Sequence, residues 1–214
     1  MYLDTANLKE IDQALKSGVF VGLTTNPAIL HRESVNRNPR IQEILQRDLE
    51  IVYVQVVGDT VEDRLEDAEI ILALNPNKIG IKIPLDQIGL ETVKRFKQLH
   101  PRVPVLGTAI YTATQAILGV LAGCDTLAPY VNRMLVSNID PYAEIAAMRQ
   151  FIDERDSHCR IIAASFKQPQ QVTLALNAGA HTCTLPFDIF EKMIDVPQAI
   201  DAIKVFNEKG REVF

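Results

Sequence analysis

The run IGIKIP, Ile79–Pro84, sets a lysine among isoleucines. It is short and rich in β-branched residues, which predicts a buried strand rather than a helix. Side chains alternate between faces along a strand, so Ile81 and Ile83 share one face and Gly80 and Lys82 the other. Taken alone, such a lysine sits at a strand end with its stem buried and its head in water. The rest of the chain supplies a second reading.

Working outward, short β-branched runs alternate with longer segments of helical period. The expected strands are 2–4, 19–25, 51–57, 79–84, 103–110, 126–131, 159–166 and 181–186. The segments between them repeat apolar residues at three- and four-residue steps, as amphipathic helices do. Gly18 and Gly179 stand where the first and seventh helices should stop. Eight strands, each followed by a helix, predict a parallel sheet closed into a (β/α)8 TIM barrel. An open doubly wound sheet is the rival, but no G-x-G-x-x-G motif follows the first strand. No linker or shift in composition divides the chain, so 1–214 is read as one domain. Within it, 196–214 forms an additional C-terminal helix.

Composition narrows the function classes. The 214 residues carry a formal net charge of −5 and are 47% hydrophobic, an ordinary globular balance. Without a basic block, neither nucleic acid nor a membrane surface is an expected partner. Asp4, inside the first strand-like residues, argues against a signal peptide. Three dispersed cysteines suit a reducing compartment, so the expected location is cytoplasmic. No Cys and His pair has metal-ligand spacing, and neither metal nor cofactor is expected.

Barrels of this kind place their chemistry at the C-terminal ends of the strands. Those ends read Asp4; Thr24, Thr25 and Asn26; Gln55; Lys82; Thr108; Tyr130, Asn132 and Arg133; then Ser165 and Lys167. Seven of the eight strands thus end on a polar residue, which predicts a ring around one pocket. If Ile81 and Ile83 face the helices, Gly80 and Lys82 face the interior, and Gly80 leaves space beneath the lysine. Gly22 repeats the device below Thr24. An ammonium inside a barrel loses hydration, which favours the free amine. A free amine condenses with a carbonyl to an iminium, an electron sink that stabilises a carbanion at the adjacent carbon. Asp4 and Tyr130 are of the right type to move the protons, and neutral Gln55 and Thr108 to position a water. Arg133 and Ser165, with Lys167 nearby, form a set able to hold a phosphate, whereas Arg133 taken alone equally suits a surface ion pair. The structural alternative is a buried Lys82–Asp4 ion pair without catalysis.

The strings LDTAN, GLTTNP, IKIP, LGTAIYTATQAILGVLAGCDTLAPYVNR, AASFKQPQQV and GAHTCTLP resemble the small transaldolase family, most closely its fructose-6-phosphate aldolase branch. They cover nearly the whole chain, in order. The resemblance implies a (β/α)8 barrel with a Schiff-base lysine on the fourth strand, here Lys82. It also implies Asp4, Asn26 and Thr108 in the active site and Arg133 and Ser165 on the substrate phosphate. Transaldolases proper tend to carry Glu, Ser and Phe where this chain has Gln55, Ala128 and Tyr130, and all three resemble the aldolase branch. One departure is the stretch after PYVNR, which reads MLVSNIDPYAE instead of a loop rich in Asp and Gly.

The expected catalytic residues are therefore Lys82, Tyr130, Asp4, Gln55 and Thr108, and the substrate-binding residues Asn26, Thr24, Ala128, Arg133 and Ser165. The expected activity is a class I aldolase forming or cleaving fructose 6-phosphate. The alternatives are a transaldolase that transfers the same three-carbon unit and a sugar-phosphate-binding barrel without catalysis. The resemblance further implies a homo-oligomer, pentamer rings paired into decamers, with the C-terminal helix on a neighbouring subunit.

Overall fold

The computed structural model describes residues 1–213. Eight parallel strands close into one barrel in sequence order. They are β1 (Tyr2–Asp4), β2 (Gly22–Thr24), β3 (Ile51–Gln55), β4 (Ile79–Pro84), β5 (Val105–Ile110), β6 (Thr126–Pro129), β7 (Arg160–Ala163) and β8 (Thr182–Leu185). Around them run α1 (Leu8–Leu15), α2 (Pro27–Arg32), α3 (Arg37–Ile44), α4 (Val61–Leu72), α5 (Gln87–Leu99) and α6 (Ala113–Ala122). Five more follow: α7 (Val131–Val136), α8 (Pro141–Glu154), α9 (Pro169–Asn177), α10 (Phe187–Ile194) and α11 (Pro197–Val213). Every expected strand is present, and β1 and β4 have the expected bounds; the others are shorter than their apolar runs. No helix among the described residues is long and apolar enough to cross a membrane.

Two helices depart from the expectation. α2 and α7 are six residues each and occupy segments for which periodicity predicts nothing. A helix of under two turns shows too little of a 3.6-residue repeat to be read from its apolar residues. α2 is instead specified by its start: Asn26 Oδ1 accepts from Ile29 N at 3.0 Å and Pro27 occupies the first turn. α7 occupies the start of the stretch after PYVNR.

The strand register sorts side chains between two apolar compartments. Ile79, Ile81 and Ile83 are buried outward against the helices, with Val54, Val93 and Phe96 in the same cluster. Burying three isoleucines contributes roughly 5 kcal/mol or more. A one-residue slip would forfeit that, so the slip is excluded and Lys82 is committed to the lumen. Inside the barrel lies a second cluster of Tyr53, Leu106, Ala128, Ile162 and Ala164, flanked by Tyr2, Ile51 and Tyr130. Tyr53 is in register with Gly80, and Tyr2 with Gly22. A Cβ at Gly80 would lie 2.5 Å from Tyr53 Cδ1, and one at Gly22 would lie 2.6 Å from Tyr2 Cε1. The space expected beneath Lys82 and Thr24 is thus filled by two tyrosine rings, 6.1 Å apart.

The turn that follows β4 is held from both sides. Asp86 caps α5 by accepting from Gly89 N, and its carboxylate takes a bidentate pair from Arg64 at 2.6 and 2.8 Å. That guanidinium holds the Asp86 carboxyl below its ordinary range. α11 contrasts with the helices that cover the barrel: none of its residues is buried, and Ile200, Ile203, Val205 and Phe206 are exposed.

Candidate active site

At the C-terminal mouth of the barrel lies a cavity of about 340 Å³. Asp4, Asn26, Lys82, Tyr130, Asn132, Arg133, Ser165 and Lys167 all line it, so eight ring residues from five strand ends converge on one space. Lys82 is 2% exposed. Its ammonium nitrogen donates to the Thr25 carbonyl at 3.4 Å, a long contact. Among the described residues no carboxylate pairs with it. Asp4 instead accepts from Thr24 Oγ1 at 2.7 Å, so the Lys82–Asp4 ion pair left open by the sequence is not formed.

The remaining expected residues stand behind this lining. Thr24 is fully buried and bonded to Asp4. Thr108, also fully buried, donates to the Tyr130 hydroxyl at 3.0 Å. The phenolic proton is thereby left free to point toward the cavity. Gln55 is half-buried and in register beside Lys82, one strand away. Ala128 lies in the lumen cluster below the cavity.

Local backbone devices aim these side chains. After Thr108, Ala109 adopts φ 57° and the β5–β6 register shifts, a bulge that ends regular pairing beside the site. Ser165 adopts φ 63°, a left-handed conformation that costs a non-glycine residue on the order of 1 kcal/mol. It is held there by Asn132 N, which donates to Ser165 O at 2.8 Å. Gln171, on α9, ties the same corner together: its amide donates to Asn132 Oδ1 and its Oε1 accepts from Lys167 N. The segment AASFKQPQQV is therefore a backbone brace as well as a set of cavity residues.

Three residues escaped the sequence reading. Arg32, at the end of α2, lines the cavity and adds a third cation to Arg133 and Lys167 at its rim. Its signal is hidden in the helix that periodicity does not reveal. Tyr111 packs edge-on to Tyr130 with ring centroids 5.8 Å apart. The Arg133 guanidinium lies 4.9 Å from the Tyr130 ring centroid, and the Tyr111 hydroxyl beside it raises the already basic guanidinium further. Thr184, on the one strand without an expected polar residue, is 1% exposed and lies 2.7 Å from Thr24 Oγ1. With Asp4 the single carboxylate on the lining, the cavity suits a small anionic polyol or carbonyl compound.

The cysteines play no part in this arrangement. Cys124, Cys159 and Cys183 are free and buried, and burial pushes the thiols of Cys159 and Cys183 up to about 12. Among the described residues, no group of three or more His, Cys, Asp or Glu could hold a metal ion.

Comparison with known proteins supplies a family. The family model described as "Transaldolase/Fructose-6-phosphate aldolase" matches residues 1–213. A Streptococcus pneumoniae protein named "Probable fructose-6-phosphate aldolase" is 38% identical over 209 residues, covering 96% of this chain and 93% of its own. An Oceanobacillus iheyensis protein named "Probable transaldolase" is 32% identical over 205 residues, covering 96% of this chain and 95% of its own.

Proposed function

The chain belongs to the transaldolase/fructose-6-phosphate aldolase family, and on that premise we propose that it is a class I aldolase acting on fructose 6-phosphate. The observation that carries this reading is Lys82, buried on the wall of the cavity with no carboxylate partner among the described residues and with the Tyr130 hydroxyl sharing the same space. The Lys82 amine adds to the C2 carbonyl, and loss of water gives an iminium. Removal of the C4 hydroxyl proton then breaks the C3–C4 bond, and its electron pair moves into an enamine as glyceraldehyde 3-phosphate departs. Protonation of the enamine carbon and hydrolysis of the iminium release dihydroxyacetone and free Lys82. Tyr130 delivers the proton to carbon, its oxygen already engaged by Thr108. Asp4 shuttles protons at the carbinolamine stage. Gln55 positions the hydrolytic water. Arg133 and Ser165 hold the phosphate with Lys167 beside them, while Asn26, Thr24 and Ala128 shape the space for the three-carbon unit.

The transaldolase reading shares the same enamine and differs in its fate, since transfer needs the enamine to survive until an acceptor aldehyde arrives. Incubation with fructose 6-phosphate alone separates the two. Free dihydroxyacetone is expected, and borohydride should trap a three-carbon adduct on Lys82 that is absent from Lys82→Ala. Turnover that strictly requires erythrose 4-phosphate would establish the transaldolase instead. An adduct on another residue would remove the Lys82 mechanism.

The reading includes a cytoplasmic, cofactor-free enzyme assembled as a homo-oligomer, a pentamer or a decamer of paired pentamers. The exposed Ile200, Ile203 and Phe206 of α11 support the assembly, because an apolar helix face of this kind needs a surface to cover it.

A further inference from the structure

We propose that Thr184 is a positioning residue of the reaction, acting through Thr24 on the Asp4 carboxylate. The inference rests on the aldolase reading above and adds a residue from the eighth strand to it. Thr24 Oγ1 donates to Asp4 Oδ1 at 2.7 Å, and Thr184 Oγ1 lies 2.7 Å from the same Thr24 oxygen. A threonine hydroxyl carries one proton. The proton of Thr24 is engaged with Asp4, so the second contact requires Thr184 to donate. The chain therefore runs Thr184 to Thr24 to Asp4 while the carboxylate is charged. Thr24 and Thr184 are 0% and 1% exposed, which leaves bulk water little access to either hydroxyl.

The placement follows from the barrel's closure. Tyr2 is in register with Gly22 on one side and Thr184 on the other, so Thr184 faces the lumen one layer below Asp4. Valine would match its shape there, and the neighbouring lumen residues Ile162 and Ala164 are apolar. A buried hydroxyl at this position fixes the Thr24 rotor: by donating to Thr24 Oγ1 it leaves the Thr24 proton directed at Asp4 Oδ1. Oδ1 is thereby engaged, and the other carboxylate oxygen is the one left to take up and return a proton. Without Thr184, Thr24 Oγ1 loses the donor that orients it, and the Asp4 carboxylate is held less firmly.

The test is steady-state cleavage of fructose 6-phosphate by Thr184→Val and Thr184→Ser, with thermal melting and borohydride trapping in parallel. Thr184→Val is expected to lower kcat about tenfold, the scale of one buried hydrogen bond lost. KM should stay within about twofold and the Lys82 adduct should still form, because substrate contacts are untouched. Thr184→Ser should restore most of kcat. In a Thr24→Val background, Thr184→Val should add little further loss, since its effect passes through Thr24. If the valine variant does not fold, Thr184→Ala against Thr184→Ser makes the same comparison. Unchanged kcat without the hydroxyl, or a serine variant as slow as valine, would overturn the proposal and leave the Lys82 reading standing. Absence of the Lys82 adduct from the unsubstituted protein would take down both.

Discussion

Tyr53 and Tyr130 point into the same barrel lumen from opposite ends, and their surroundings differ in every respect that matters to chemistry. Tyr53 is 3% exposed, in register with Gly80, and packed among Leu106, Ala128 and Ile162. Burial pushes its phenol far above the ordinary range, with Thr126 offsetting part of the effect. Tyr130 sits above it at the cavity, half-buried, with its oxygen engaged by Thr108 and Arg133 over its ring. The lower tyrosine is a plug that occupies volume glycine has vacated. The upper one has a neighbouring space in which a substrate can receive its proton. On the proposed function, one inward register serves stability at the N-terminal end and reaction at the C-terminal end, the division of labour usual in such barrels.

Exchanging the same atom at the two ends should separate these roles most sharply. Tyr130→Phe is expected to slow fructose 6-phosphate cleavage by about 10² or more, the scale of losing one proton-transfer group, with the Lys82 adduct retained. Tyr53→Phe removes the same hydroxyl and should leave kcat within a few-fold. Equal losses of kcat would break the distinction between plug and proton donor. A harmless Tyr130→Phe would move the proton-transfer role to Asp4 or to a water held by Gln55 and Thr108.

A second, smaller effect belongs to the packing below Lys82. Gly80→Ala sets a methyl against the Tyr53 ring and 3.1 Å from Ile51 Cδ1, in a lumen without room to yield. The expected cost is about 1–3 kcal/mol, read as a lower urea midpoint at constant slope. Because Lys82 lies one layer above, kcat should fall as well. Full stability in Gly80→Ala would mean that the two rings can part, and the plug would lose its structural meaning.

The smallest effect is a pH dependence confined to the lower end. His181 Nδ1 accepts from Ile161 N at 2.9 Å, which requires the unprotonated nitrogen. Burial, with Arg149 and Arg160 nearby, lowers its pKa from 6.5. Below 6.5 the unfolded chain therefore takes up a proton that the folded chain resists. The stability tied to His181 is complete above 6.5 and is lost as pH falls toward the depressed folded value. The urea midpoint should drop between pH 7.5 and pH 5, and the drop should shrink in His181→Asn, which offers an acceptor that does not titrate. An unchanged drop would assign the pH dependence to other groups.

Much of this molecule follows from local pattern. The alternation in IGIKIP commits Lys82 to one face, and the outward isoleucines make that face the lumen whatever the neighbours do. Eight β-branched runs separated by amphipathic segments admit few closures other than a barrel. The polar strand ends then converge because parallel strands share a direction. What remained illegible is of two kinds. α2 is specified by its Asn26 cap and α7, which has no side-chain cap bond, by tertiary contacts rather than by periodicity, and so the place of Arg32 at the cavity rim could not be read. Thr184 reaches Thr24 across the seam between β8 and β1, from 160 residues away. Alternation in HTCTLP places Thr184 on one face of its strand, but only closure of the sheet decides which hydroxyl it meets. Residue types and their faces are local properties of a strand, whereas the partner a buried hydroxyl finds depends on the register in which distant strands pair.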